Sequence, residues 1–193
     1  MFENIAGIDF GAKLSGKTSI AFIANHELQI VSCAAKMDAD NFILTFINQS
    51  SVKTIFLDAP LSLPIAYKTP ITNPDFFYRE CDKATNAMSP LFLGGLTARA
   101  MALKHQLDQH NIRVFETYPT ALCKQMNIER DKSVDGVKQM FRQIKTFVKD
   151  ININIEPNNI HELDAILALF SGIRYIKNEH LTIGNLKEGL III

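Results

Sequence analysis

Two aspartates stand at the ends of apolar runs. Asp9 closes "NIAGID", and Asp58 closes "VKTIFLD". If these runs are neighbouring parallel strands, both carboxylates meet at the same end of one sheet. Carboxylates so close repel each other unless a cation lies between them. A hard divalent ion that takes oxygen ligands, Mg²⁺ or Mn²⁺, suits that place. A third ligand is offered by "HELDA", where His161 and Asp164 share a helix face at i,i+3. Leu163, Ile166, Leu167 and Phe170 supply the packing around them, and an aspartate among such residues is costly unless paired or coordinated. Glu162 falls off that face and is expected in solvent.

Each acid also has a plainer role. Asp9 can cap the glycine turn that comes after it, and Asp58 the segment after it. Asp164 can answer the helix dipole near an N-terminus. Three such acids at the ends of the right elements favour a metal site over three separate caps.

A second motif competes for attention. The turn from Gly11 to Thr18, "GAKLSGKT", satisfies G-x-x-x-x-G-K-[ST] letter for letter. An ATP-binding protein built on this turn is therefore the alternative function. A phosphate loop, however, must feed a helix that starts at G-K-[ST], because the helix N-terminus cradles the phosphates. The residues after Thr18 read "SIAFIANHELQIVSC", a run that fits strand–turn–strand better. The plain interpretation is a glycine-containing hairpin connection with a surface lysine.

Periodicity marks the elements that must position these residues. Residues 4–10 form a first strand, with Ile5, Gly7 and Asp9 on one face and Ala6, Ile8 and Phe10 on the other. A hairpin turning at Asn25-His26 comes next, then a helix over 39–50 with apolar residues at i,i+4. "VKTIFLDAP" is a buried strand ended by Pro60. Prolines punctuate residues 60–90, around a short helical candidate at 76–87. "LTARAMALKHQLDQH" is a helix on which Arg99 and Lys104 are expected on the solvated face. "IRVFETYP" is a strand, helices span about 134–149 and 159–177, and "EGLIII" is a short edge strand. Helical crossovers make the later strands parallel to the first. This is the order of an RNase H-like α/β fold: a mixed five-stranded sheet, three antiparallel strands and then parallel ones, flanked by helices. Residues 1–193 form a single such domain, with a lid-like insertion at about 60–96 between Pro60 and the hinge candidate Gly94-Gly95.

Composition narrows the function classes. Lys+Arg and Asp+Glu both number 20, so the formal net charge is zero and no global basic excess points to nucleic acid. No Trp, basic run or cationic stripe interleaved with aromatics is present. No apolar run is long enough to span a bilayer, and the N-terminus lacks signal-peptide character. Cys33, Cys81 and Cys123 are widely spaced, as expected of reduced thiols in a cytoplasmic protein.

The ordered motifs "GIDFG", "FLDAPLSLP", "RECDKA", "VFETYP" and "HELDAILALFSG" resemble the predicted RNase H-fold nucleases grouped as domain of unknown function family 429. The resemblance covers most of the chain. The layout also looks like RuvC-type resolvases, whose last helix carries an H-x-x-D or D-x-x-D pair, the first form matching His161 and Asp164. The resemblance implies a metal-dependent phosphodiesterase acting on nucleic acid or another phosphate ester, with Asp9, Asp58 and Asp164 as metal ligands. His161 would be an auxiliary ligand or proton shuttle, and Lys13, Ser15 and Lys17 would contact a phosphate beside Asp9.

Two further residues keep two roles each. Arg79 and Asp82, at i,i+3 in "RECD", form either a surface ion pair or part of a lid on which Arg79 binds an anion. Glu116, at the end of "RVFE", is a further ligand or orienter of the site, or a turn carboxylate. A third function class, a binding module that keeps the fold without chemistry, would bind no divalent ion.

Overall fold

The structure, a computed structural model, describes residues 2–148 and 151–193. β1 (Ile5–Asp9), β2 (Ser19–Ala24) and β3 (Glu27–Ser32) pair antiparallel in sequence. β2 turns into β3 through Asn25 and His26, with φ of 52° and 64°. Positive φ at both positions gives the I′ turn that matches strand twist. α1 (Ala39–Gln49) starts at Asp38, whose side chain accepts from the amides of Asp40 and Asn41. It crosses to β4 (Thr54–Asp58), parallel to β1. α2 (Glu80–Thr85), α3 (Pro90–Leu93) and α4 (Gly95–Gln109) lead to β5 (Arg113–Glu116), parallel to β4. α5 (Pro119–Gln125), α6 (Val134–Lys145) and α7 (Ile160–Lys177) come next, then β6 (Thr182–Asn185) and β7 (Gly189–Ile192).

The sheet order is β3-β2-β1-β4-β5-β7-β6, and its first five strands have the RNase H-like arrangement. Among the described residues, seven strands stand where five were expected. The "EGLIII" segment is not the edge: β7 lies between β5, parallel to it, and β6, antiparallel to it. β6 escaped notice because "TIGN" holds one large apolar residue and no alternation. α5 was also not foreseen, although Pro119 occupies a first-turn position where its missing N–H costs nothing. The helix expected to reach Lys149 closes at Lys145, and Lys149 itself lies outside the described residues.

Strand parity divides the core. Ala6, Ile8, Ile55 and Leu57 pack against α1 and α4 on one face. Ile5 and Phe56 pack against α5, α6 and α7 on the other. α7 lies almost on the β1 backbone. A methyl group at Gly7 would meet the Leu169 amide nitrogen at 1.9 Å and the Ala165 carbonyl at 2.3 Å. Glycine is therefore required there for the helix to approach the strand, and that approach carries the start of α7 to the end of β1.

Residues 60–96 cover the ends of β4 and β5. Their base is tied down: the buried Glu188 carboxylate, from the β6–β7 connection, accepts from the amides of Ile65 and Glu80, at 2.8 and 2.7 Å. Among the described residues, no helix is long and apolar enough to cross a membrane.

Candidate metal centre

Asp9 and Asp58 are register partners in the parallel β1–β4 pair. Parity puts both on the face of Ile5 and Phe56, toward α7. α7 begins at Asn159, whose side chain accepts from the amides of His161 and Glu162. The start is reinforced by Glu162, which accepts from the Asn158 amide at 2.7 Å and from the Asn158 and Asn159 side chains. Glu162 therefore caps the helix, where the sequence suggested a solvated acid. With the helix begun there, His161 stands in its first turn and Asp164 on the same face.

The three carboxylates converge. Asp9, Asp58 and Asp164 each place an oxygen within 4.8 Å of the others. His161 Nδ1 lies 2.8 Å from Asp9 Oδ2. The hydrogen bond to Asp9 raises the imidazole above its ordinary value. Burial raises the Asp9 carboxyl, against the lowering effect of that bond. The Asp58 carboxyl is pushed well above the carboxylate range by burial first, then by Asp9 and Asp164. Three carboxylates this close need a proton or a cation to offset their repulsion, and a divalent ion is one such cation.

Sequence reasoning missed Arg130. Its two terminal nitrogens reach both oxygens of Asp164, at 2.6 and 2.9 Å. The contact with Asp164 raises the guanidinium pKa despite burial, so the group stays charged. Arg130 lies between α5 and α6, in "NIERDKS", where no periodicity marks a facing side chain. The fork is taken up by Asp164 and holds that carboxylate in place.

Arg79 corrects both of its expected roles. It is fully buried, neither a surface ion pair nor a free anion binder. Nε and one terminal nitrogen bond Asp82 at 3.0 and 2.6 Å, while the terminal nitrogens reach Glu116 at 2.7 and 2.6 Å and Ser62 at 2.9 Å. All five donors are thereby spent. Burial opposes the charge, but the bonds to Glu116 and Asp82 hold the guanidinium pKa up. Glu116 also accepts from the Leu61 amide at 2.8 Å. It pairs in register with Leu57, on the face opposite Asp9 and Asp58, so it stays outside their cluster. Cys81, Asp82 and Glu116 form a second tight group. Arg79 supplies its cation, and burial pushes the Cys81 thiol up to about 12, away from the thiolate that a metal would bind.

The glycine turn is not a phosphate loop. Residue 19 opens β2, so the chain after G-K-T runs into a strand and not into the helix a phosphate loop must feed. The turn closes on itself: Thr18 Oγ1 accepts from the Gly11 amide at 3.0 Å, and Ser15 Oγ donates to the Ala12 carbonyl at 2.8 Å. Lys13 pairs with Asp38 at 3.0 Å. Lys17 is exposed and close enough to His161 for its charge to lower the imidazole pKa. Of the three polar turn residues, Lys17 is thus the one whose charge reaches the cluster. Arg99 is not on a solvated face: it holds Asp40 at 2.7 Å and the Gly11 carbonyl at 3.1 Å, fixing the turn against α1.

Among solved structures, the chain is similar to the RuvC structure of Thermus thermophilus, at 11% identity and a TM-score of 0.49, over 94% of this chain and 99% of that one. No family model matches the chain, and no curated protein matches it either.

Proposed function

We propose that this chain is a divalent-metal-dependent phosphodiesterase of RNase H-like fold, acting on nucleic acid or another phosphate ester. The convergence of Asp9, Asp58 and Asp164 from two strands and a helix carries the reading. The donor set fits Mg²⁺ or Mn²⁺: three carboxylates, no thiolate, and an Asp58 side chain raised in pKa by burial and by its negative neighbours. When bound, such an ion neutralises the cluster and polarises a phosphoryl oxygen. Asp9, Asp58 and Asp164 would hold it. His161 would share a proton with Asp9 at Nδ1 and pass protons at the edge of the site. Lys17 would steer a phosphate toward the cluster, and Arg130 would hold Asp164 in place. The ordered motifs support membership of the predicted nuclease family 429. Three unpaired buried cysteines agree with a reducing, cytoplasmic setting.

The test is twofold. Anomalous diffraction from a Mn²⁺-soaked crystal is expected to give a peak among the three aspartates. Cleavage of single-stranded oligonucleotides with Mg²⁺ is expected in the wild type and absent in Asp58→Asn. Equal cleavage by that variant, or no peak, overturns the reading.

A further inference from the structure

A cavity of about 260 Å³ opens directly beside the carboxylates and shares Asp9 and Asp58 with them. Its walls are apolar, built by Phe10, Ala87, Met88, Leu93, Leu96 and Tyr118. They come from the end of β1, from residues 87–96 and from the turn after β5. The other charged wall residues offer a ligand nothing, since Arg79, Asp82 and Glu116 are consumed by one another. Thr117 likewise donates to Ser171 at 2.9 Å. Tyr118 adds a phenol to the wall, and its hydroxyl is bonded to no described residue.

From this geometry we infer that the cavity is the base pocket of the proposed phosphodiesterase: it receives one unpaired nucleobase while the attached phosphate lies over Asp9 and Asp58. The inference rests on the metal-site reading for the phosphate alone. Three observations favour a nucleotide. The occupant must join an apolar body to a group that a carboxylate-bound cation attracts, and a nucleotide is a phosphate ester with both. The volume lies below the roughly 300–1,000 Å³ of pockets for drug-sized ligands, so it admits one ring system and excludes a paired base. The protein also has no excess cationic charge to hold a long duplex backbone, with Lys+Arg and Asp+Glu at 20 each. A base out of its stack is bound through apolar and aromatic side chains, which tolerate any π-face.

Saturation-transfer NMR with adenosine and metal-free protein tests the pocket by itself. Base-proton saturation is expected in the wild type and lost in Leu93→Trp and in Ala87→Phe, two fillings from different positions, each checked for a cooperative melt. No saturation in the wild type overturns the inference whatever the metal does, as does saturation that survives in a folded filled variant. With Mg²⁺ present, adenosine monophosphate is expected to bind at least tenfold tighter than ribose 5-phosphate; equal affinity overturns it. A single-stranded dinucleotide is expected to displace the monophosphate if the source is a strand end, and to fail if it is a free nucleotide. Displacement by a fully paired blunt duplex at equal concentration overturns the pocket. Mn²⁺ titration without nucleotide reports on the carboxylates separately. Adenosine saturation without Mn²⁺ binding leaves the pocket standing and removes the metal reading.

Discussion

Arg130 grips both carboxylate oxygens of Asp164, at 2.6 and 2.9 Å, inside a cluster that also holds Asp9 and Asp58. The pair is mostly shielded from solvent, with side-chain exposures of 16% and 12%. Without a metal, Arg130 is the paired counter-charge of Asp164, and its charge also acts to lower the Asp9 and Asp58 carboxyls, which burial raises. Arg130→Met removes it and leaves Asp164 facing its neighbours unpaired. Breaking such a pair costs about 3 kcal/mol, or several degrees in Tm. The loss is expected in EDTA, and Mn²⁺ is expected to restore more stability to the variant than it adds to the wild type. Equal Mn²⁺-induced shifts in the two melts would show that Arg130 and the metal do not share the same charge.

Asp58 carries the largest conflict in the cluster. Its folded pKa is raised well above 3.8 by burial and by Asp9 and Asp164. The folded chain therefore keeps a proton that the unfolded chain has released, so stability falls as pH rises from 3.8 through the raised folded value. Asp58→Asn never bears that charge. In EDTA it is expected to melt a few degrees above the wild type at neutral pH. The advantage should vanish below about pH 4, where the wild-type carboxyl is also neutral. Mn²⁺ should stabilise the wild type and leave the variant unmoved. A variant less stable than the wild type at neutral pH would contradict the charge argument.

How far the sequence carried the site depended on whether a residue lay on a periodic element. Asp9 and Asp58 were legible because each ends an apolar strand and helical crossovers force parallel pairing. His161 and Asp164 were legible from helical spacing. Arg130 was not, because it lies in a connection with no repeat to show which way a side chain faces. Arg79 was misread for a different reason. Its i,i+3 partner Asp82 suggested a surface pair, while the partner that buries it, Glu116, is 37 residues away. The strand face of Glu116, opposite that of Asp9, follows only from its register with Leu57. The phosphate-loop pattern in the glycine turn failed for want of its helix. β6 stayed hidden because too few apolar residues mark it.

The bond between His161 and Asp9 sets a pH response of its own. The hydrogen bond to Asp9 raises the imidazole above 6.5. The stability it contributes is full below 6.5 and is lost as pH climbs through the higher folded value. In metal-free protein, NMR titration of the His161 ring is expected to give a midpoint above 6.5. Asp9→Asn should lower that midpoint, since burial and Lys17 both push it down. Mg²⁺ should lower it too, by placing positive charge beside the ring. An unchanged midpoint in Asp9→Asn would mean that the bond is not made in solution.

Gly7 tests whether the fold itself assembles the site. A Cβ there would sit 1.9 Å from the Leu169 amide nitrogen and 2.3 Å from the Ala165 carbonyl, both backbone atoms of α7. No side-chain rotation relieves such a clash, so the helix must lift from β1 or the strand must bend. Overpacking against flexible side chains costs about 1–3 kcal/mol, and against backbone it costs more. Gly7→Ala is therefore expected to lower Tm by about 6 °C or more for a domain of this size. Because α7 also carries His161 and Asp164, any shift moves both away from Asp9. A folded Gly7→Ala protein should bind Mn²⁺ at least tenfold more weakly, although no ligand has been changed. Wild-type Mn²⁺ affinity in that variant, measured by titration calorimetry, would show that the close approach of helix to strand does not set the geometry of the carboxylates.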